Sequence, residues 1–221
     1  SRRPALDIVV QAMGGLLSVT GEPDGPLVRP GASLADSIAG VFGALAIVSA
    51  LYRRETTGQG QHIDMSMLDC QVTMMENAFS RYFATGVVPG PLGSRHPAAA
   101  PFQAFQAGDG PFVVAVLTDD PQAWQRFCET IGSPDLGNDA RFKDNPGRVE
   151  HYGELVPQLE NVFRTRPAAH WLAALSQAGF ACGPVNDIAA VARDPQVGHR
   201  GMIATIDHKS EGTWRVANTP F

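Results

Sequence analysis

A single carboxylate stands where a glycine-containing loop leads into a long apolar segment. Asp36 lies in Gly31-Ala-Ser-Leu-Ala-Asp36, and the residues from Ile38 to Leu51 are almost all Gly, Ala, Val, Ile, Leu and Phe. An acid at the start of a helix has two uses. It can cap the free backbone N–H groups, a role that Ser33 also suits, or it can be held as a nucleophile. Spacing alone favours the cap.

Three other groups of reactive side chains have ordinary structural explanations. Asp69 enters a predicted helix and is an alternative nucleophile, although an N-cap or a buried ion pair is favoured for it. His62 and Asp64 have the spacing of one strand face, but no third ligand follows at a suitable spacing, so no metal site is predicted. Cys182 has no neighbouring His to activate it, and the Gly-Pro that follows favours a shaped turn.

A short segment of small residues and one loop histidine are candidates for contact with a ligand. The segment contains Gln11, Met13, Gly14 and Gly15. Glycines let a backbone approach a ligand closely, and they equally permit tight packing of a helix on a sheet. They form no dinucleotide-binding fingerprint here, so NAD binding is not supported. His96 is a candidate for closing over a substrate, although a lone loop histidine is more often a surface residue.

The elements that would position these residues alternate between strand and helix. Residues 7–12 fit a short buried strand or the first turn of a helix. A helix is predicted over 38–54, a strand over 61–67, where apolar residues alternate, and a helix over 68–83. This order favours a βαβ unit with a parallel sheet, so the expected fold class is α/β.

Composition suggests where the domains begin and end. Residues 1–84 are rich in Gly, Ala and Met. Residues 85–110, rich in Gly, Pro and Ala, are predicted to be a linker and loop. Residues 111–200 have the amphipathic segments of a small α+β domain, and residues 201–221 form a last segment with two possible strands.

Composition also argues against several partners and environments. The chain has 221 residues and a net charge of −5, which argues against nucleic acid or an anionic membrane surface as the main partner. Three widely spaced cysteines without a Cys-x-x-Cys pattern indicate reduced thiols and hence a cytoplasmic protein. The apolar run 38–51 is too short for a membrane span, and no signal peptide is visible.

Six short motifs, taken together and in order, resemble the class III CoA-transferases. That family includes formyl-CoA transferase and carnitine CoA-transferase, and α-methylacyl-CoA racemase is a relative. The resemblance covers essentially the whole chain, and the order of the motifs is more specific than any one of them. The motifs are Val10–Gly15, Thr20–Pro26, Ala35–Ser37, Glu55–His62, Ser66–Asp69 and Cys182–Asn186.

The resemblance implies a fold and an assembly. Members of the family form a homodimer of two interlocked, ring-like chains. Each chain has a Rossmann-like large domain, built from both chain ends, and a smaller α+β domain. By this resemblance residues 1–84 are part of the large domain and contain the nucleophile, residues 111–200 are the small domain, and residues 201–221 return toward the large domain.

The resemblance also implies an activity and the residues that perform it. CoA moves from an acyl-CoA thioester to a carboxylic acid through an aspartate that is first acylated and then carries CoA as a thioester. This aspartate falls on Asp36, and Asp7 would influence attack on the thioester intermediate. The CoA thioester is a substrate, and no permanently bound cofactor is expected. The candidates for contact with substrate or CoA are Gln11, Met13, Gly14, Gly15 and His96.

Two alternatives to transfer stay open. Leu6 stands where the transferases usually have Tyr and the racemases a catalytic His, which weighs against an α-methylacyl-CoA racemase. The second alternative is an inactive fragment, because the chain is expected to lack the N-terminal half in which the family makes most of its CoA contacts.

Overall fold

The structure is a computed structural model that describes residues 4–220. The chain forms two compact units, Ser1–Pro97 and Ala98–Phe221, which are named the first and the second unit. The division between Pro97 and Ala98 lies inside the segment 85–110. Helices and antiparallel strands together make up the regular structure, so the chain has a mixed helix-and-sheet architecture.

All regular secondary structure among the described residues of the first unit is helical. Helix α2 ends where Gly58 adopts a φ of +70° and donates its N–H to the Arg54 carbonyl at 2.8 Å, a left-handed cap that suits glycine because it has no Cβ. The unit's elements are α1 (Asp7–Met13), a 3₁₀ turn (Leu17–Val19), α2 (Leu34–Thr57), α3 (Met67–Thr73) and α4 (Glu76–Thr85).

Helix α2 is longer than the helix predicted over 38–54, because it begins at Leu34 and ends at Thr57. Its 24 residues and apolar composition are sufficient to cross a membrane, a test that core helices of soluble proteins also pass. The prediction that this apolar run is too short for a membrane span was therefore wrong. The expectation that no membrane is involved stays a prediction.

The strand predicted over 61–67 is also wrong. Residues 59–66 have no regular secondary structure, and α3 begins at Met67. A strand requires a neighbouring strand to satisfy its backbone N–H and C=O groups, and none is present in residues 4–97. The βαβ unit and parallel sheet inferred from the alternation are consequently not formed by the described part of the first unit.

The second unit has an antiparallel sheet covered by helices. Strand β2 (Pro111–Ala115) lies in the middle, between β1 (Phe102–Gln106) and β3 (Ala181–Pro184). A separate hairpin pairs β4 (Ile203–His208) with β5 (Gly212–Ala217). The helices are α5 (Pro121–Thr130), α6 (Pro134–Asn138), α7 (Asn145–Glu150), α8 (Tyr152–Phe163), α9 (Ala168–Gln177), α10 (Ile188–Val191) and α11 (Pro195–His199).

One aromatic and aliphatic core holds the second unit together. Phe112 of β2 meets Phe163 of α8 edge to face with ring centroids 5.0 Å apart, and Phe163 meets Trp171 of α9 in the same way at 5.4 Å. Leu155 and Leu159 of α8 are fully buried beside them. Such burial stabilises a domain by about 1.5–3 kcal/mol for each large apolar side chain.

A buried arginine ties the start of the second unit to this core. The Arg148 side chain is fully buried and has no carboxylate partner within salt-bridge distance among the described residues. Its guanidinium instead donates to the carbonyls of Ala100 at 2.7 Å, Phe142 at 3.1 Å and Thr118 at 2.5 Å. It also lies 4.7 Å from the ring centroid of Trp124, a cation–π contact that helps to replace the lost hydration.

Candidate active site

Asp36 lies in the first turn of α2, as the third residue of that helix, and its side chain is exposed. It is therefore not the residue that precedes and caps the helix. The Asp36 carboxylate accepts no hydrogen bond and forms no ion pair with any residue between 4 and 220. Ser33, which precedes the helix, makes no side-chain cap either. Both candidates that the sequence offered for the cap were wrong.

The cap comes from Asp7, which is distant in sequence. Its Oδ1 accepts the backbone N–H of Ala35 at 3.0 Å. Leu34 donates to the Ala32 carbonyl and Ser37 to the Ser33 carbonyl. These first backbone N–H groups of α2 thus have partners without any contribution from the Asp36 side chain.

Two side chains hold Asp7 in place. Gln11, one turn later in α1, donates from Nε2 to Oδ2 at 2.8 Å. Arg29 donates from Nη2 to the same oxygen at 3.1 Å and also to the Ser33 hydroxyl at 3.1 Å. Asp7 is therefore a buried group, 8% exposed.

The pKa of Asp7 reflects this network. Burial raises the pKa of the carboxyl group, but the hydrogen bonds from Gln11, Arg29 and the backbone N–H groups of Asp36 and Ala35 outweigh burial and leave the pKa below its usual value. Asp7 is consequently a charged acceptor at neutral pH. It is engaged at the start of α2, and its expected influence on attack at the thioester intermediate stays a prediction.

The start of α3, in the same unit, shows how a similar local sequence caps a helix. Ser33 and Asp36 of α2 have the same spacing as Ser66 and Asp69 of α3. At α3 the Ser66 hydroxyl accepts the Asp69 N–H at 3.3 Å, an ordinary local cap. At α2 the serine hydroxyl binds Arg29 instead. The network around Asp7 therefore sets the start of α2 apart.

The remaining candidate residues lie in the second half of α1 and just beyond its end, in different environments. Gln11 is fully buried, and its Oε1 has no partner among the described residues. A Cβ at Gly14 would lie 2.4 Å from Cγ of Gln71, which is buried in α3, so glycine is required there for α1 to approach α3. Met13 is 54% exposed, and Gly15 has a φ of +85°.

Two cavities lie next to each other in the first unit, at the C-terminal end of α1. The first, about 200 Å³, is lined by Gly14, Gly15 and apolar residues of α4. The second, about 250 Å³, is lined by polar residues of α4 and by the loop that contains Arg95 and Pro97. In the sequence, His96 lies between Arg95 and Pro97.

Comparison with known proteins places this arrangement in a family. The family model described as CoA-transferase family III matches residues 1–221. The chain belongs to this family. Among its relatives, the acetyl-CoA:oxalate CoA-transferase of Acetobacter aceti is 44% identical over 90% of this chain and 51% of its own length. The succinyl-CoA:mesaconate CoA-transferase of Haloarcula marismortui is 30% identical over 99% of this chain and 54% of its own length.

Two solved structures share this fold. A CAIB/BAIF family protein from Brucella suis superposes with a TM-score of 0.76 at 33% identity, covering 99% of this chain and 60% of that one. A protein from Mycobacterium tuberculosis gives a TM-score of 0.85 at 26% identity, covering 99% of this chain and 57% of that one. The chain spans about half the length of the curated relatives it matches.

In this member of CoA-transferase family III, the other reactive residues singled out in the sequence lie outside the network around Asp7. The Cys182 thiol lies in β3, donates weakly to the Leu172 carbonyl at 3.6 Å, and has its pKa raised by burial, which disfavours the reactive thiolate. Asp69 is the third residue of α3 and is exposed. Between residues 4 and 220 no three His, Cys, Asp or Glu side chains are grouped as metal ligands would be.

The sequence did not point to Arg29 or to Gln71. Arg29 lies in the Pro/Gly loop and meets Asp7 across 22 positions, so no local spacing connects them. Gln71 lies on an otherwise ordinary helix, and its burial against Gly14 depends on how α1 crosses α3. Only the folded arrangement brings these side chains to the helix start and to the α1–α3 contact.

Proposed function

We propose that the protein containing this chain moves CoA between an acyl-CoA thioester and a carboxylic acid, and that Asp36 is the nucleophile. One observation carries this assignment. The Asp36 carboxylate is exposed and unengaged at the start of α2, while the buried Asp7 fulfils the capping role. A helix N-terminus favours negative charge, so a free carboxylate there is suited to attack an electrophile. Membership of CoA-transferase family III supplies the electrophile, a thioester carbonyl.

The first half of the proposed reaction transfers CoA to the protein. A carboxylate oxygen of Asp36 attacks the thioester carbonyl carbon, the C–S bond breaks, and CoA leaves as a thiolate. The product is a mixed anhydride between Asp36 and the acyl group. The thiolate then attacks the Asp36 carbonyl carbon of that anhydride, which releases the donor acid as a carboxylate and leaves Asp36 as a CoA thioester.

The second half returns Asp36 to its starting state. The acceptor carboxylate attacks the aspartyl thioester and expels the CoA thiolate, so a second mixed anhydride forms. The thiolate attacks the acceptor's carbonyl carbon, releasing the free Asp36 carboxylate and the new acyl-CoA. Atoms and charge balance, because one carboxylate and one thioester enter and one of each leaves.

The acids exchanged are proposed to be dicarboxylic. The similar proteins are named for oxalate, mesaconate and glutarate, which all carry two carboxyl groups. We expect the complete protein to be a cytoplasmic homodimer with a Rossmann-like large domain. CoA thioesters are its substrates, and no bound cofactor is involved. Leu6 has no proton-transfer group, so racemisation is not favoured.

Trapping of the acyl intermediate tests the proposal. The protein is incubated with acyl-CoA and hydroxylamine, and its peptides are analysed by mass spectrometry for a hydroxamate on Asp36. Asp36→Ala should abolish the label and lower transfer by on the order of 10³-fold or more. Asp69→Ala is the matched control, because Asp69 is also an exposed third residue of a helix. Label on Asp69, or full activity of Asp36→Ala, would refute the assignment.

A further inference from the structure

The two cavities of the first unit form one groove with two chemically different ends. Both are lined by residues of α4 and by the loop that follows it, and they share four residues. Together their volumes fall in the range of about 300–1,000 Å³ that is typical of small-molecule sites. The shared residues are Val19, Met75, Ala78 and Pro89.

One end of this groove is apolar. Met75, Ala78, Phe79 and Tyr82 recur at the spacing of a single helix face, and Val88 lies opposite them in the lining. Gly14 and Gly15 contribute backbone without side chains. This end is suited to a hydrocarbon chain and offers little to a charged group.

The other end of the groove is polar and carries more positive than negative charge. Arg81, Arg95 and Asn77 line it, together with the single carboxylate of Glu76. The Arg81 side chain is half-buried, and its guanidinium makes no hydrogen bond or ion pair with any residue between 4 and 220. A guanidinium presents a planar fork of donors that matches a carboxylate, so a ligand carboxylate is the natural partner for Arg81.

The groove and Asp36 lie toward opposite ends of α1. Asp7, at the start of α1, bonds to the first turn of α2, whereas Gly14 and Gly15, just beyond the end of α1, line the groove. The seven residues of α1 extend about 10 Å along the helix axis. A substrate that reaches both places therefore needs an extended body between its two ends.

We propose that this groove binds the part of an acid substrate remote from the reacting carboxyl group. The hydrocarbon lies against Phe79 and Tyr82, and a second, terminal carboxylate pairs with Arg81. The identification of this ligand as a substrate rests on the proposed function. The geometry selects extended α,ω-dicarboxylic acids over both oxalate and monocarboxylic acids, and Arg81 is the residue that determines this specificity.

A series of acceptor acids tests the inference. Binding is measured by calorimetry and transfer by steady-state kinetics, with suberate, glutarate, oxalate and octanoate. Suberate should bind most tightly. Arg81→Gln should weaken suberate binding by about 10- to 100-fold, because a charged hydrogen bond contributes about 1.5–3 kcal/mol, and should leave octanoate unchanged. Arg53→Gln, which removes an exposed cation of α2, is the matched control and should change neither.

The two proposals fail separately in this experiment. If suberate binds in an Arg81-dependent way but no CoA is transferred, the groove assignment stands and the proposed function falls. If CoA is transferred but Arg81→Gln affects suberate and octanoate equally, the groove assignment is wrong. Preferential binding of oxalate over suberate would also overturn it.

Discussion

The two units of this chain differ in how many of their apolar side chains they bury. Of the 24 buried apolar residues in the described structure, 20 belong to the second unit, and 17 of these form one core around α8 and the sheet. Of the 25 large apolar residues that are exposed, 19 belong to the first unit, many of them along α2. The second unit thus has the core of an independent domain, whereas the first unit presents its apolar surface to the outside.

This difference shows that the candidate site does not depend on a large local core. Asp36 is placed by a compact polar network of Asp7, Gln11 and Arg29 around the start of α2. The rest of α2 presents Val41, Leu45 and other apolar side chains to solvent. Apolar patches of this extent usually mark interaction surfaces. The difference between the two units can be tested by substituting residues in each of them.

The largest effect is expected from the buried cation of the second unit. Arg148→Met should lower the free energy of unfolding by about 3–5 kcal/mol, because three backbone carbonyls lose their shared donor in a buried site. Urea unfolding monitored by tryptophan fluorescence measures this. Arg126→Met, which removes an exposed arginine that lies over Phe180, should cost far less. Equal losses in the two variants would contradict the role given to Arg148.

The next prediction compares one leucine from each unit. Leu159→Ala removes a fully buried side chain and should destabilise the chain by about 2–5 kcal/mol. Leu45→Ala removes a side chain that is 59% exposed on α2, and its effect should stay within about 0.5 kcal/mol. The same urea titration serves both variants. A large loss at Leu45 would show that the apolar face of α2 is covered in solution.

A smaller, pH-dependent effect is expected at Asp7. Its pKa is lowered in the folded state, so its contribution to stability is present above the unfolded-state value of about 3.9 and is lost as pH falls through the folded pKa. Asp7→Asn should therefore flatten the acid limb of the stability curve below about pH 4. The urea midpoint measured across this range tests it, and an unchanged acid limb would contradict the prediction.

The sequence predicted the local features of this molecule better than its long-range ones. The start of a helix near Asp36 was visible, because apolar runs and loop glycines act within a few residues. The strand over 61–67 was wrong, because alternation does not reveal whether a partner strand exists. The segment after Cys182 was interpreted as a turn, yet it pairs with β2 as part of β3.

The candidate site shows the same limit. The resemblance identified Asp36 and Asp7, but nothing local predicted that Asp7 would cap α2 across 28 positions. Likewise, no short pattern in the sequence indicates that Arg81 lines a groove. Contacts between residues far apart in sequence depend on helix crossings that a single sequence does not encode in any short pattern.

The capping of α2 by Asp7 also has a consequence for mutational tolerance. A third-position acid can reach back to the N–H of the residue before its helix, so the Asp36 carboxylate is the nearest substitute when Asp7 is lost. Loss of Asp7 would thus draw the Asp36 carboxylate, the proposed nucleophile, into a structural role. Asp7 leaves that carboxylate free by binding the start of α2 in its place.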